Sequence, residues 1–335
     1  MPVAGAHHPF PLRRDGFALL AGGVVLLALA TTSLFIGVGD VDFRGLLSGT
    51  SDDQGLLLLL VSRIPRTVAI VLAGMSMGVA AVVMQLVFRN RFVEPTTTGT
   101  AESASLGLLA ATLLAPGMPV MGKMLVAAAF ALAGSFLFLR IIGRIPARST
   151  LIVPLVGLML GGVLDALTTF IAYRYDLLQS LGAWTSGDFS GVLRGRYELL
   201  WISFVLVIAT YVTADRFTVA GLGDAATTNL GLDYRKIVSL GLTMVALITA
   251  ACVVTSGVVP FLGLIVANVV SMLFGDNLRR SLPWIALSGA IFLLVCDMIG
   301  RLIRFPYEIP VGTVAGVLGS AIFLGLLLAG RRRLG

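Results

Sequence analysis

Long, sparsely charged apolar runs follow one another along nearly the whole chain, broken only by short polar stretches, and that pattern leaves few folds open. Hydrophobic residues make up 57% of the chain and charged residues 12%, with a mean hydropathy of +0.99. No water-soluble domain has enough interior for such a composition. A helix crosses a bilayer core with about 20 apolar residues, so a chain of this length with short connections accommodates roughly ten spans. The runs are continuous and do not alternate at every second residue, which favours helices over a β-barrel. Helices also satisfy their own backbone in lipid. The expected architecture is an all-α polytopic membrane protein with about ten transmembrane helices, formed as a single domain over residues 1–335.

The spans are read at 17–38, 56–88, 98–114, 120–142, 151–172, 199–214, 237–258, 260–274, 284–303 and 311–329. The first follows Arg13 and Arg14 but is too long for a signal peptide and lacks a small-residue cleavage site, so it is expected to be retained. Pro154 falls in the first turn of its helix, where a missing N–H matters little. The stretch 260–274 is short for a crossing and is expected to be a half-helix of the kind that transporters place near their pathways. A polar, Gly-rich segment over about 173–198, which includes Trp184, is expected to form a short helix and loops on the outer surface.

The net charge of +7 comes from basic residues at the ends of apolar runs, among them Arg140, Arg144 and Arg148 and the closing Arg331, Arg332 and Arg333. This is a topology signal and not a nucleic-acid surface, and it predicts both termini in the cytoplasm. Cys252 and Cys296 lie far apart inside apolar runs and read as core residues. His7 and His8 read as solvated tail residues. No Gly-rich phosphate loop, dinucleotide fingerprint or Ser-His-Asp set is present, so any ATP that drives transport is hydrolysed by another chain.

Two features stand out from the apolar background. One is a hydrophilic island from Gly221 to Gly231, followed by Arg235 and Lys236. Its small residues Gly223, Ala225 and Ala226 let a partner's surface approach, Asp224 offers a charge near a helix start, and Gly231 is a natural helix stop. Two short helices are expected over about 219–234, as a grip for a soluble partner; the plain alternative is an ordinary loop. The other feature is arginine at the outer ends of spans, Arg63, Arg66 and Arg301, against the positive-inside bias. A carboxylate-bearing partner would account for it through bidentate pairs, and so would snorkelling to headgroups. The carboxylates Glu102, Asp165 and Asp297 are expensive in lipid and so face other helices or water. Helix–helix bonding is the reading for Asp297, while Asp165 is divided between that role and lining a pathway. A carrier driven by protons or sodium through Asp165 or Asp297 is the alternative from another class.

Several stretches occur in a fixed order: Arg63-Ile64-Pro65-Arg66-Thr67, Gln85 with Arg89-Asn90, the Thr-, Gly- and Ser-rich stretch from Pro95 to Gly107, Trp184 with Gly187, and Gly223-Asp224 to Leu230-Gly231. They continue with Val259-Pro260-Phe261-Leu262-Gly263-Leu264-Ile265-Val266, Gly275-Asp276-Asn277-Leu278-Arg279-Arg280, Leu282-Pro283 and Glu308-Ile309-Pro310-Val311-Gly312. Over nearly its whole length the chain thereby resembles the permease subunits of iron-siderophore, haem and cobalamin ABC importers, the FecCD family. The resemblance implies the ABC type II importer permease fold in the cytoplasmic (inner) membrane. It further implies a second permease copy or a similar paralogue, two ABC ATPase subunits and an extracytoplasmic substrate-binding protein.

On the same resemblance, Gly221, Gly223, Asp224, Ala225, Ala226, Leu230 and Gly231 belong to coupling helices seated in the ATPases. Arg63, Arg66 and Arg301 match arginines that pair with the binding protein. The fifth and tenth spans wall the pathway, with Ser149, Thr150, Asp165 and Thr168 placed on it. The chain is then a translocation subunit with no catalytic residues and no cofactor of its own, ATP being used by the partner. The variants Pro95-Thr96-Thr97-Thr98-Gly99-Thr100 and Gly275 to Arg280 look most like the branch serving catecholate siderophores. The implied cargo is therefore a ferric siderophore, with haem or cobalamin as the alternative. The chain departs from the family pattern at Ala267-Asn268, where many members have Pro-His, and at Asn90-Arg91-Phe92, where Asn-Pro-Leu is common.

Overall fold

The computed structural model describes residues 12–37, 53–145, 152–275 and 277–331, which contain helices and turns but no strand. His7, His8, Arg148, Ser149, Thr150, Asp276, Arg332 and Arg333 lie outside the described residues. After α1 (Leu12–Phe35), α2 (Asp53–Leu58), a π-helical turn (Leu59–Arg63) and α3 (Ile64–Val87) run on end to end as one rod. A 3-10 turn (Pro95–Thr97) leads to α4 (Thr100–Leu114), α5 (Val120–Ile142), α6 (Ile152–Arg174) and the short α7 (Leu178–Thr185). α8 (Leu200–Val212) bends by 67° into α9 (Ala214–Ala220). The chain continues with α10 (Asp224–Asn229), α11 (Tyr234–Ser256), α12 (Leu262–Phe274), α13 (Leu278–Leu302) and α14 (Val311–Arg331).

Among the described residues, 6 helices are long and apolar enough to cross a membrane: α1, the rod ending in α3, α5, α6, α11 and α13; the bent α8–α9 pair makes a seventh. α4, α12 and the apolar part of α14 are shorter. The expected half-helix is α12, whose 13 residues extend ~20 Å, less than a hydrocarbon core of about 30 Å. α13 begins at Leu278, earlier than the expected start at 284. Pro283 falls in the second turn, and the carbonyl that it leaves without a helical partner is that of Arg279 in the first turn. Asn277 caps this end by accepting the Arg280 N–H at 3.2 Å.

The rod is the spine of the bundle, with 83% of its apolar window buried, and α13, α11, α12 and α8 pack around it. Its tightest approach is to α13. A Cβ on Gly74 would lie 2.8 Å from the carbonyl carbon of Gly289 and 2.9 Å from the Cα of Ala290. A Cβ on Gly289 would lie 3.0 Å from the carbonyl carbon of Gly74. Small residues at such crossings let helix backbones meet where lipid gives no hydrophobic drive for association. The outward faces of α1 (Phe17, Leu20, Val24, Leu27) and α6 (Leu155, Met159, Val163, Phe170) are apolar and exposed, as faces turned to lipid or to another membrane helix are.

Gly289→Ala is expected to destabilise the purified protein by about 1–3 kcal/mol through overpacking. Gly23→Ala on α1, where a Cβ meets nothing within 4 Å, should change stability by under about 0.5 kcal/mol. Thermal unfolding in detergent compares the two, and equal midpoints would contradict the close α3–α13 crossing.

Candidate functional site

At the Val87 end of α3 the island holds one short helix, α10, where two were expected; the other, α9 (Ala214–Ala220), comes before the island as the bent end of α8 and joins α10 through Gly221, Leu222 and Gly223. Gly223 holds φ at +105°, and a Cβ there would lie 2.8 Å from the Arg89 guanidinium, while one on Gly221 would lie 3.0 Å from Leu86 Cδ2. The end of α3 is thus the floor on which this joint rests. Buried Thr227 donates its hydroxyl to Gly223 O at 2.7 Å and Val219 O at 3.2 Å, locking α10 back onto α9. Gly231, at φ +79°, ends the motif. Asp233 then caps α11 by accepting the Lys236 N–H at 3.1 Å. That bond and the Lys236 ammonium hold its carboxyl below the usual carboxylate range. α13 is tied to the same end by the Arg279–Asp215 pair at 2.6 Å. Leu222 (66% exposed) and Leu230 (62%) stand out from this polar surface, beside the exposed Asp224 and Ala225. A groove of about 470 Å³ lined by Asp224, Thr228, Gly231 and Arg235 opens next to them.

At the opposite end of α3 the three arginines turn inward: Arg63 is 6% exposed, Arg66 9% and Arg301 4%. Fully buried Asp297 is the hub. Arg66 donates to its Oδ1 through Nη2 at 2.7 Å and Nε at 3.1 Å, and Arg301 donates to its Oδ2. Arg66 Nη1 also reaches Glu308 at 2.6 Å. Arg301 bonds the Ser33 hydroxyl and the carbonyls of Ser33 at 2.9 Å and Ile36 at 2.7 Å, and Arg63 bonds Leu34 O at 2.8 Å. The cluster fastens the end of α1, the start of α3 and the end of α13 together. The sequence leaves these arginines to a carboxylate-bearing partner or to headgroups; in the fold, Arg66 meets Asp297 and Glu308 from a distant part of the chain and Arg301 meets Asp297 one turn before it, internal carboxylates of the kind that buried guanidiniums require.

Midway between these ends lies a contact that sequence reasoning missed. Glu94 is 1% exposed, and its carboxylate accepts the N–H of Phe261 at 3.0 Å and of Leu264 at 2.9 Å, with the Thr96 hydroxyl at 2.6 Å. It therefore caps α12, whose first N–H groups have no intrahelical partners and whose positive end favours an anion. The signal was present: a half-helix opening on Pro260-Phe261 has no side-chain cap of its own, and a lone Glu-Pro pair precedes the Thr-rich stretch. Nearby, two of the quoted motifs form one joint with Gly257 and Val258 at the end of α11. Gly312 N–H donates to Gly187 O at 3.0 Å. A Cβ on Gly187 would lie 2.6 Å from Val258 O, and one on Gly257 2.9 Å from the carbonyl carbon of Trp184.

Two cavities flank this region. One of about 330 Å³ is lined by Thr96, Glu102 and Ser105, by Asp165 and Thr168 of α6, and by Thr185. The other, of about 630 Å³, is lined by Thr185, Pro260, Phe261 and, from α14, Thr313 and Ser320. The structure thus brings Asp165 and Thr168 together and adds Glu102 and Ser105 beside them.

The model of the FecCD transport family matches residues 25–329. The chain belongs to this family. It is 50% identical over 305 residues to the petrobactin import system permease protein YclN of Bacillus subtilis (strain 168), covering 91% of this chain and 96% of that one. It is 38% identical over 309 residues to the ferric-anguibactin transport system permease protein FatD of Vibrio anguillarum (strain ATCC 68554 / 775), covering 92% and 98%. A solved inward-facing conformation of a metal-chelate type ABC transporter shares the fold, with a TM-score of 0.78 at 22% identity over 94% of this chain and 99% of that one. As a FecCD permease the chain is a multi-pass, all-α transport subunit and not an enzyme.

Asp297→Ala leaves Arg301 buried without its carboxylate and Arg66 without one of its two, at a cost of about 3–5 kcal/mol; the FecCD permease should then fail to accumulate in membranes. Wild-type amounts on an immunoblot would contradict the buried hub. Glu94→Ala leaves two N–H groups without an acceptor, each worth about 1–3 kcal/mol, and Glu94→Gln should cost less. Hydrogen exchange over residues 261–264 reads this directly: protection unchanged in the Ala variant would show that Glu94 is not the cap.

Proposed function

We propose that this chain is the translocation subunit of an ATP-driven importer that carries ferric siderophores across the cytoplasmic membrane. Its similarity along nearly its full length to petrobactin and ferric-anguibactin permeases carries the cargo class. The single-domain fold is oriented with both termini and the island in the cytoplasm and the Asp297 cluster outside. Two ABC ATPase subunits, one beneath each permease chain, seat α9 and α10 in a cleft. Leu222 and Leu230 enter as apolar knobs, Asp224 meets a basic side chain, and Gly221, Gly223, Ala225, Ala226 and Gly231 keep the contact close. Closure of the ATPases on ATP pushes the island, and Arg89 and Leu86 pass the displacement to α3, switching the bundle between outward and inward access.

A second permease copy or a paralogue covers the exposed apolar faces of α6 and α14, so that these helices wall the path between the chains. Asp165 and Thr168 face that path, and Ser149 and Thr150 stand at its cytoplasmic mouth. An extracytoplasmic binding protein docks at the Asp297 end. Arg63, Arg66 and Arg301 serve docking by holding the rim in shape, while the exposed Arg194, Arg196 and Arg304 at that end supply charge for acidic residues on the binding protein.

The test is radioactive-iron uptake by cells lacking the chain, given a ferric catecholate, a ferric hydroxamate or haem in turn, with cobalamin uptake followed in parallel. Loss confined to the catecholate-type chelate, and restored by the intact chain, is expected. The double variant Leu222→Glu, Leu230→Glu should remain in the membrane, lose its co-purifying ATPase and restore no uptake. Uptake unchanged for every compound would overturn the cargo, and an ATPase retained by the double variant would overturn the coupling role.

A further inference from the structure

We propose that the 330 Å³ cavity between α4 and α6 receives a protonated amine carried on an arm of the ferric chelate, with Glu102 and Asp165 as its counter-charges. This rests on α6 being a wall of the translocation path. No lysine or arginine is among the described residues that line the cavity, so its two carboxylates face it without a cationic partner in the lining. The hydroxyls of Thr168 and Thr185 donate to Leu164 O at 2.7 Å and Leu181 O at 2.9 Å, within their own helices. Two buried acceptors are left over: Glu102 Oε2 and Ser105 Oγ have no hydrogen-bond partner, and Ser105 is only 3% exposed.

Carboxylates and an unpaired hydroxyl oxygen converging on one space match an ammonium group, which offers three N–H donors and no acceptor. They do not match the anionic oxygens of a catecholate–iron centre, which both carboxylates repel. Room is provided by two glycines of α6. A Cβ on Gly161 would already lie 3.5 Å from Glu102 Oε2, and Gly162 has nothing within 4 Å of its Cβ position. The volume is at the low end of small-molecule sites, which run from about 300 to 1,000 Å³. It holds an aliphatic arm while the iron centre stays in the wider path. The pair thus selects, among ferric chelates, those that carry a positive charge away from the metal.

The experiment compares two iron-loaded bis-catechol chelators, identical except that the linker amine is free in one and acetylated in the other. Binding is measured by equilibrium dialysis of radioactive iron against the purified full chain in nanodiscs, without a binding protein. The wild-type chain is expected to bind the free-amine chelate about tenfold more tightly, as one charge-assisted hydrogen bond allows. Glu102→Gln and Asp165→Asn should each narrow that preference, and the double variant should abolish it. Equal binding of both chelates by the wild-type chain, binding of neither, a preference undiminished in both single variants, or one that survives in the double variant overturns the amine site. Uptake by intact cells separates this failure from the larger one: a chain that restores import of no ferric chelate overturns the transport reading itself, whereas import without amine preference overturns only the pocket.

Discussion

A helix that starts inside a bilayer has backbone N–H groups with no water to meet, and the Glu94 carboxylate meets that need here. The architecture around it depends on this contact. Because α12 begins part-way through the bundle, the segment after α3 can fold back beside it, α4 can start beside the same point, and both cavities open where two full-length helices would have filled the space. The anion is supplied from a position 167 residues earlier in the chain than Phe261, so the break in one half of the sequence is completed by the other.

α3 connects the two ends. At one end its Arg66 is locked by Asp297 and Glu308 into a cluster that also grips α1 and α13. At the other, Leu86 and Arg89 lie under the glycines of the island. Between them, Gly74 and Gly289 bring two backbones into contact with no side chain to absorb a shift. Such a crossing transmits displacement, because close-packed interiors yield little to small strains.

Much of this was legible in the sequence. Length and hydropathy were enough for the long spans, since lipid demands a run that no other environment does, and the shortness of 260–274 disclosed the half-helix. The island was readable in part: the small residues and the glycine stop mark α10, but the first of the two short helices, α9, lies before Gly221 in a stretch that reads as the end of an apolar span. The limits are equally physical. Arg66 was read as an outward charge because its carboxylates, Asp297 and Glu308, are far along the chain, and pairing across that distance has no local signature; Arg301, in contrast, has Asp297 one helical turn before it. The ninth span was read from 284, although the helix starts at Leu278, because Arg279 and Arg280 read as part of a polar turn. Glu94 escaped notice because a side-chain cap acting across the bundle leaves only one carboxylate and one proline in the sequence. Ser105 and Glu102 came next to Asp165 and Thr168 only through the packing of α4 on α6.

The glycine joint at Gly187, Gly257 and Gly312 has a mechanical consequence. The start of α14 is hydrogen-bonded to Gly187, two residues beyond α7, and Cβ atoms are excluded on either side. The start of α14, the turn after α7 and the end of α11 at Gly257 are therefore held as one knot. A displacement of any one of these three helices at the knot is felt at once by the other two.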